Sequence, residues 1–407
     1  MTPKQTQSLL FDEEQFLQTP EIGDENEDDL QVDFLNKLSE AVTWSTDWTV
    51  ESIVSQLNKN IIDIDPKFQR RDAWSEIKKS RFIESLIYSL PIPQIVLAEH
   101  KTQKGTYIVV DGKQRLLTLK QFLTESPDTN VFHKLSGLRN KKLNNKTFSD
   151  LQKDHSPFYN SFVNQSIRSI IIKNWPSETF LYTIFYRLNT GSLSLSPQEL
   201  RRALKKGPFI DFVDDLSVSS KKIQGLFNIN KPDFRMRDLD LVIRYYAVIN
   251  RIEQYKGSYK SFLDETCDFF NSNWGKKSKD AELQSKHMDD LIDFVNKMFD
   301  KKHAFRRWRN GKYEPRFNKA IFDIFIYYLN NPAIRSEVEK FPKKFISAYQ
   351  TLCEKNEKFV KSVSSNTNNL IETSTRFVLF GKALKKALNI PFKIPKNLQD
   401  YFNAKQL

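Results

Sequence analysis

Short apolar runs in the first half of the chain predict a small β-sheet. Ile61–Ile64, Ile95–Ala98 and Tyr107–Val110 have the length and β-branched content that are typical of strands. Lys104-Gly105 predicts the turn between the second and third of these runs, and Ser166–Ile172 is expected to add one more strand.

Apolar residues at helical spacing predict helices between these strands. They cover about Ala73–Leu90, with Asp72 as the N-cap, then Gly112–Leu123 and Ser177–Leu188. Ser196-Pro197-Gln198-Glu199 is a capping box with proline at the first helical position, and it predicts the start of a further helix.

Only helical periodicity follows after about residue 208, so the predicted fold class is α+β. We expect an acidic, disordered arm at 1–47, a mixed-sheet domain at 48–210 and an all-helical domain at 211–407. A chain of 407 residues is long enough for two domains.

The charge is distributed unevenly along the chain. Residues 1–36 hold ten acids and one base, Lys4, which gives −9. Because the whole chain carries +13, the remainder carries +22. Such a body attracts polyanions, although a lysine-rich composition alone is weak evidence for nucleic acid. The arm could be a solubility tail or an autoinhibitory mimic of nucleic acid.

Several protein classes are disfavoured by what the sequence lacks. Its two cysteines form no CxxC pair, so structural zinc and a disulfide framework are not expected. No apolar run approaches the roughly 20 residues that span a bilayer, and the N-terminus has no signal pattern. A cytoplasmic protein without a membrane partner is therefore expected. It also has no P-loop motif.

The most informative segment joins an apolar strand directly to an amphipathic helix. Asp111 is placed to cap that helix, and Gly112 lets backbone or ligand approach closely. The amides at the helix start form an anion site, to which Lys113 and Arg115 add positive charge. Asp111 is also a candidate Mg²⁺ ligand. A capped helix with solvated bases fits the same spacing.

Basic and aromatic residues alternate further along the chain, a pattern that suits phosphate contact and base stacking. A solvated basic loop is the alternative interpretation. The candidate DNA-binding residues are Arg306, Arg307, Trp308, Arg309 and Lys312.

Four blocks in register resemble the N-terminal domain of the GmrSD-type restriction family, whose hallmark is an Asp-Gly-Gln-Gln-Arg motif. The blocks are Phe68-Gln69-Arg70-Arg71, Ser85-Leu86 followed by Pro91-Ile92-Pro93, Tyr186-Arg187-Leu188-Asn189-Thr190-Gly191 and Leu195-Ser196-Pro197-Gln198-Glu199-Leu200-Arg201, and Asp111-Gly112-Lys113-Gln114-Arg115 stands at the hallmark motif. The resemblance is strong over about 48–255. Lys113 departs from the family, which usually has glutamine there.

The resemblance implies a fold similar to the ParB and sulfiredoxin N-terminal domains. It also implies nucleoside-triphosphate binding and hydrolysis with Mg²⁺, coupled to attack on foreign, usually modified, DNA. Catalytic roles would fall to Asp111 and Arg115. Nucleotide-binding roles would fall to Gln69, Arg70, Gly112, Lys113, Gln114, Arg187, Asn189, Gly191 and Arg201. For Arg187, Asn189, Gly191 and Arg201, interhelical bonding is the alternative.

The expected function is thus that of a nucleotide-hydrolysing, DNA-engaging component of an anti-phage or modification-dependent restriction system. No HNH nuclease motif is visible among the five histidines, so DNA cleavage would require a partner chain or an unrecognised site. Two rival interpretations are a non-catalytic, nucleotide-gated DNA clamp and a regulatory interaction protein.

Overall fold

The computed structural model describes residues 42–64, 73–124, 132–153, 157–188, 196–229, 232–233 and 235–405; of Tyr186 it describes the backbone alone.

Five strands form one mixed sheet in the order β1-β5-β3-β4-β2. They are β1 Val42–Thr49, β2 Ile62–Asp63, β3 Ile95–Glu99, β4 Tyr107–Asp111 and β5 Ser166–Lys173. The pairs β1/β5 and β3/β4 are antiparallel, whereas β3/β5 and β2/β4 are parallel. A separate antiparallel pair consists of β6 Arg306–Arg309 and β7 Lys312–Phe317.

Helices make up most of the remaining described chain, which confirms the predicted α+β class. Those before residue 230 are α1 Val50–Asn58, α2 Glu76–Ile87, α3 Lys113–Thr124, α4 Phe148–Lys153, α5 Pro157–Asn164, α6 Glu178–Leu188, α7 Pro197–Leu204, α8 Pro208–Ser219 and α9 Lys221–Leu226. Those after it are α10 Arg237–Arg251, α11 Tyr259–Ser272, α12 Trp274–Met298, α13 Asp300–His303, α14 Lys319–Leu329, α15 Pro332–Lys340, α16 Pro342–Lys355, α17 Glu357–Ser362, α18 Leu370–Leu388 and α19 Lys396–Ala404.

Burial on the central strands explains their uninterrupted apolar sequences. Every residue of β3 is buried, as expected for a strand that is covered on both faces. Val96 and Val110 share a core cluster with Leu181 and Phe185 of α6 and with Leu200 of α7. This packing holds α6 and α7 close to β4, the strand that carries the Asp111 motif.

The structure corrects three details of the predicted elements. Residues 42–47, assigned to the disordered arm, belong to β1, which pairs along its whole length with β5. Helix α2 begins at Glu76 rather than near Ala73, because the Ser75 side chain accepts a hydrogen bond from Lys78 N (3.4 Å) and caps it. The β6–β7 hairpin lies in the region that was predicted to be all-helical.

The chain divides into two compact units that do not follow the predicted boundary at residue 210. The N-terminal unit contains described residues from 42 to 244 together with Asp264–Ile292. The C-terminal unit contains Tyr245–Leu263 and residues from 293 to 405. The sheet therefore shares its unit with helices that the sequence had placed in a separate domain.

Within the described ranges, none of the helices is both long enough and apolar enough to cross a membrane.

Candidate functional site

The turn between β4 and α3 places the Asp111 motif at the C-terminal end of β4, an interior strand of the sheet. Strand β4 ends at Asp111, Gly112 follows with a φ of +96°, and α3 begins at Lys113. A Cβ atom on Gly112 would lie 3.1 Å from Ile95 Cγ1 and 3.1 Å from Arg115 Nη2. Glycine is required here because the backbone is left-handed and its surroundings are crowded.

Arg115 is folded back against this turn. Its Nη2 atom donates to Asp111 Oδ2 (2.7 Å) and to the carbonyl oxygen of Gln94 (3.1 Å), the residue that precedes β3. The side chain is about nine-tenths buried, and its Nε atom has no hydrogen-bond acceptor among the residues that the structure describes. A buried guanidinium with donor capacity left over is suited to an anionic ligand.

Asp111 does not have the capping role that was predicted for it. Since α3 begins at Lys113, Gly112 is the residue that immediately precedes the helix. Asp111 Oδ2 instead accepts from Arg115, and the Asp111 side chain keeps 24% of its surface exposed. The first helical hydrogen bond is donated by Leu116 N to Gly112 O (3.0 Å). The amides of residues 113–115 therefore lie at the N-terminus of α3 and point in the direction from which a helix binds an anion.

Lys113 lies in the interior, not on the solvated first turn. Its ammonium group is ion-paired with Glu199 of α7, and both side chains are buried, with 5% and 6% exposed. The other carboxylate oxygen of Glu199 accepts from Ser196 N (2.6 Å), which completes the predicted capping box. This ion pair joins the Asp111 motif to the Leu195–Arg201 block, and its two residues are 86 positions apart in the sequence.

A second contact connects the motif to the chain next to the Gln69-Arg70 block. The amide of Ala73 donates to Gln114 Oε1 (3.4 Å). Gln69 and Arg70 themselves lie outside the described residues. On the other side of that block, Asp63 ends β2, which runs parallel to β4, and it is ion-paired with Lys206. Neither Ala73 nor Asp63 was predicted to lie at the site, because neither belongs to a motif.

Arg187 and Arg201 occupy different environments. Arg187 lies in the last turn of α6 and is exposed. Arg201 is fully buried: its Nε atom donates to Asp264 Oδ1 (2.6 Å), and Nη1 donates to Gln198. The predicted nucleotide-binding role of Arg201 is therefore corrected to the interhelical alternative, since its guanidinium joins α7 to α11. Asn189 and Gly191 lie outside the described residues.

The candidate DNA-binding residues form a hairpin rather than a loop. Arg306 is buried, with its guanidinium donating to the carbonyls of Ala304 (3.0 Å) and Pro315 (3.2 Å), and burial lowers its pKa to about 10. It is thus structural, which corrects its predicted contact with DNA. Trp308 donates to Glu354 of α16 (2.6 Å).

No group of three or more histidine, cysteine, aspartate or glutamate side chains within the described ranges is arranged to hold a metal ion. The single carboxylate of Asp111 still fits the binding habit of Mg²⁺, which commonly takes one or two carboxylates and obtains its other ligands from phosphates and water. Asp111 would hold such an ion only together with a bound nucleotide.

These features define a mixed-sheet domain with a strand–turn–helix element that carries a buried arginine. Residues 50–205 match the family model described as the GmrSD restriction endonuclease N-terminal domain. The chain therefore carries a GmrSD-type N-terminal domain, and this family indicates a component of a restriction or defence system. The match covers less than half of the chain and ends before 255, where the resemblance was expected to extend. No curated protein and no solved structure matches the chain.

Proposed function

We propose that this protein binds and hydrolyses a nucleoside triphosphate at the start of α3 and couples that reaction to DNA within a restriction system. The observation that carries the proposal is the convergence of separate sequence blocks on the first turn of α3. Lys113 is ion-paired with Glu199, and Gln114 accepts from Ala73. The Glu199 carboxylate and the Ala73 amide, which are far apart in the sequence, thereby meet at the first turn of one helix.

The chemistry that this arrangement supports is phosphoryl transfer. Such reactions require a protein to position phosphates and to neutralise the charge that develops on them. The amides at the start of α3 and the Arg115 guanidinium supply donors for phosphate oxygens, and Asp111 supplies a carboxylate for a metal ion or an attacking water. Mg²⁺, when bound, would neutralise phosphate charge.

The buried position of Lys113 changes its part in this proposal. Its ammonium was expected to contact phosphate directly, but it is paired with Glu199. We assign Lys113 a positioning role, in which it holds α7 next to α3. Arg115, together with Arg70 and Arg187 from the resemblance, supplies the arginines that would contact phosphate.

Phosphate release from each of the four nucleoside triphosphates, with and without Mg²⁺, tests the enzyme. Arg115→Ala and Arg70→Ala should lower turnover by about 100-fold or more, the scale at which removed transition-state donors act. Arg81→Ala is the matched control because Arg81 is exposed on α2. Thermal melting of each variant separates lost chemistry from lost folding, which matters most for the buried Arg115.

Three outcomes separate the candidate functions. Normal turnover in folded Arg115→Ala and Arg70→Ala proteins rejects this site. Nucleotide binding without hydrolysis, measured with a fluorescent analogue, indicates a nucleotide-gated DNA clamp. No binding of any nucleotide by the wild-type chain indicates a regulatory interaction protein.

A further inference from the structure

The β6–β7 hairpin has two faces of different character. Trp308 pairs with Tyr313 across the strands, and their ring centroids are 4.7 Å apart. Trp308 donates to Glu354 (2.6 Å), while the Tyr313 hydroxyl accepts from Gln350 (3.0 Å). Since Glu354 and Gln350 both belong to α16, the aromatic face of the hairpin packs against that helix.

The opposite face is basic, and its side chains reach solvent except for that of Arg307, which is only 12% exposed. Arg307 is ion-paired with Glu314, and Arg309 Nη1 lies 3.9 Å from the same carboxylate, so these side chains share one face. Alternation along β7 places Lys312 and Arg316 on that face as well, and both are exposed. Four bases and one acid give the face a net charge of +3. We call these five residues the basic face.

The tip of the hairpin is a narrow two-residue turn. Asn310 and Gly311 have φ values of +50° and +74°, which match the turn that joins two tightly paired strands. The register confirms it, because Arg309 pairs directly with Lys312. The basic face therefore lies on a two-stranded ribbon that ends in small residues.

We propose that the basic face binds double-stranded DNA, with the β6–β7 ribbon lying against the phosphates that border a major groove. That groove is wide enough to admit a two-stranded ribbon, and the exposed bases supply the phosphate contacts that dominate affinity. The partner is taken as DNA because the GmrSD-type domain indicates a restriction system, and in this respect the inference rests on the proposed function.

Duplex DNA fits the hairpin better than a single strand. Binding of single strands relies on aromatic rings on which the bases stack. Trp308 and Tyr313 were the candidates for that role, but Trp308 Nε1 and the Tyr313 hydroxyl are hydrogen-bonded to α16 and the two rings pack edge to face on each other. Guanidinium and ammonium groups without an aromatic platform recognise the backbone and the grooves of a duplex.

Fluorescence anisotropy of the full chain with a labelled 30-base-pair DNA, titrated at several salt concentrations, tests the proposal. The variant Arg309→Ala/Lys312→Ala should weaken binding about tenfold and lower the salt slope by up to about 2, roughly 0.9 for each lost phosphate contact. Lys343→Ala/Lys393→Ala removes the same charge from exposed positions of the C-terminal unit and is the matched control.

A variant with the opposite effect strengthens the test. Glu314→Gln removes the acid that pairs with Arg307 and so raises the net charge of the basic face by one. It should tighten duplex binding several-fold and raise the salt slope, whereas a general loss of folding could only weaken binding.

Several results would overturn the assignment. They are equal losses in the two double variants, no tightening in Glu314→Gln, and tighter binding of the wild-type chain to a single strand or to an RNA duplex. Nucleotide turnover without DNA, measured on the same proteins, separates this inference from the proposed function. Ribbon-dependent DNA binding in a chain without turnover supports the ribbon and rejects nucleotide hydrolysis, whereas turnover without DNA binding does the reverse.

Discussion

At the scale of single residues, Lys113 shows how tertiary pairing changes the meaning of a motif. A lysine in the first turn of a helix is ordinarily solvated, and nothing in the sequence next to Lys113 indicates otherwise. In the structure its ammonium is buried against Glu199. A buried ion pair contributes little net stability, but removal of one partner leaves an uncompensated charge in the interior.

We therefore predict strong energetic coupling between these two residues. Lys113→Gln and Glu199→Gln should each lower the free energy of unfolding by about 3 kcal/mol. The double variant should lose about 1–3 kcal/mol less than the sum of the single losses. Urea denaturation measures all four proteins. The exposed pair Lys277 and Asp280 is the control, and its coupling should be below about 1 kcal/mol.

Additive losses would show that Lys113 and Glu199 act independently. Nucleotide affinity of the folded double variant separates the two roles considered for Lys113. A positioning role predicts that the double variant recovers part of the affinity that Lys113→Gln loses, whereas direct phosphate contact predicts that replacement of Glu199 restores none of it.

At the scale of elements, α7 and the residue that follows it make several ion pairs within the N-terminal unit. Arg201 donates to Asp264, Arg202 is 3.1 Å from Asp214, and Lys205 is 2.8 Å from Asp268. One helix therefore contacts α8 and α11 through charged groups. The basic sequence of α7 belongs to one of the blocks that led to the nucleotide-binding prediction, but the Arg201 side chain joins α7 to α11.

The positions on α7 should differ sharply in their effect on stability. Arg201→Ala leaves Asp264 buried without its ion-pair partner and should cost about 3–5 kcal/mol of unfolding free energy. Lys205→Ala, at the residue that follows α7, should cost about 1 kcal/mol or less, because the carboxylates of Asp268 and Glu178 reach water. Thermal and urea unfolding compare the variants. Similar losses at both positions would contradict this account of α7.

The sequence predicted the elements whose signal is local and missed those that depend on distant partners. The strands around the Asp111 motif and the capping box of α7 follow from apolar runs and from one short motif. Strand β1 was missed because its residues are mostly exposed and it is held by β5, more than 100 residues away. The β6–β7 hairpin did carry a local signal, the dipeptide Asn310-Gly311, which was obscured by the charged residues around it.

At the scale of the whole molecule, the two cysteines report on the two units separately. Cys267 belongs to the N-terminal unit and Cys353 to the C-terminal unit, and both are buried. Burial raises the pKa of Cys267 far above its usual value and raises that of Cys353 to about 11. Because the thiolate is the reactive form, both should be nearly inert at pH 8.

We predict that thiol labelling at pH 8 is slower in the native chain than in urea by at least about 100-fold at each cysteine. Single-cysteine variants, Cys267→Ala and Cys353→Ala, assign each rate to one unit along a urea titration. Labelling of both at the same urea concentration indicates cooperative unfolding, and distinct midpoints indicate independent units. Rapid labelling of either cysteine in the native protein would contradict its buried position.

The distribution of charge over the whole chain leads to the last prediction. Residues 1–36 carry −9 and the remainder carries +22. If duplex DNA binds the basic body, these acids repel it or compete with it for the same bases. Their deletion should tighten binding several-fold at about 50 mM salt and much less at about 200 mM, where screening shortens the reach of charge. A full-length variant with all ten acids changed to their amides tests charge without a change in length. Tightening in both proteins assigns the effect to charge, whereas tightening in the deletion alone assigns it to the bulk of the segment. Unchanged affinity in both would show that the segment serves solubility and does not regulate access to DNA.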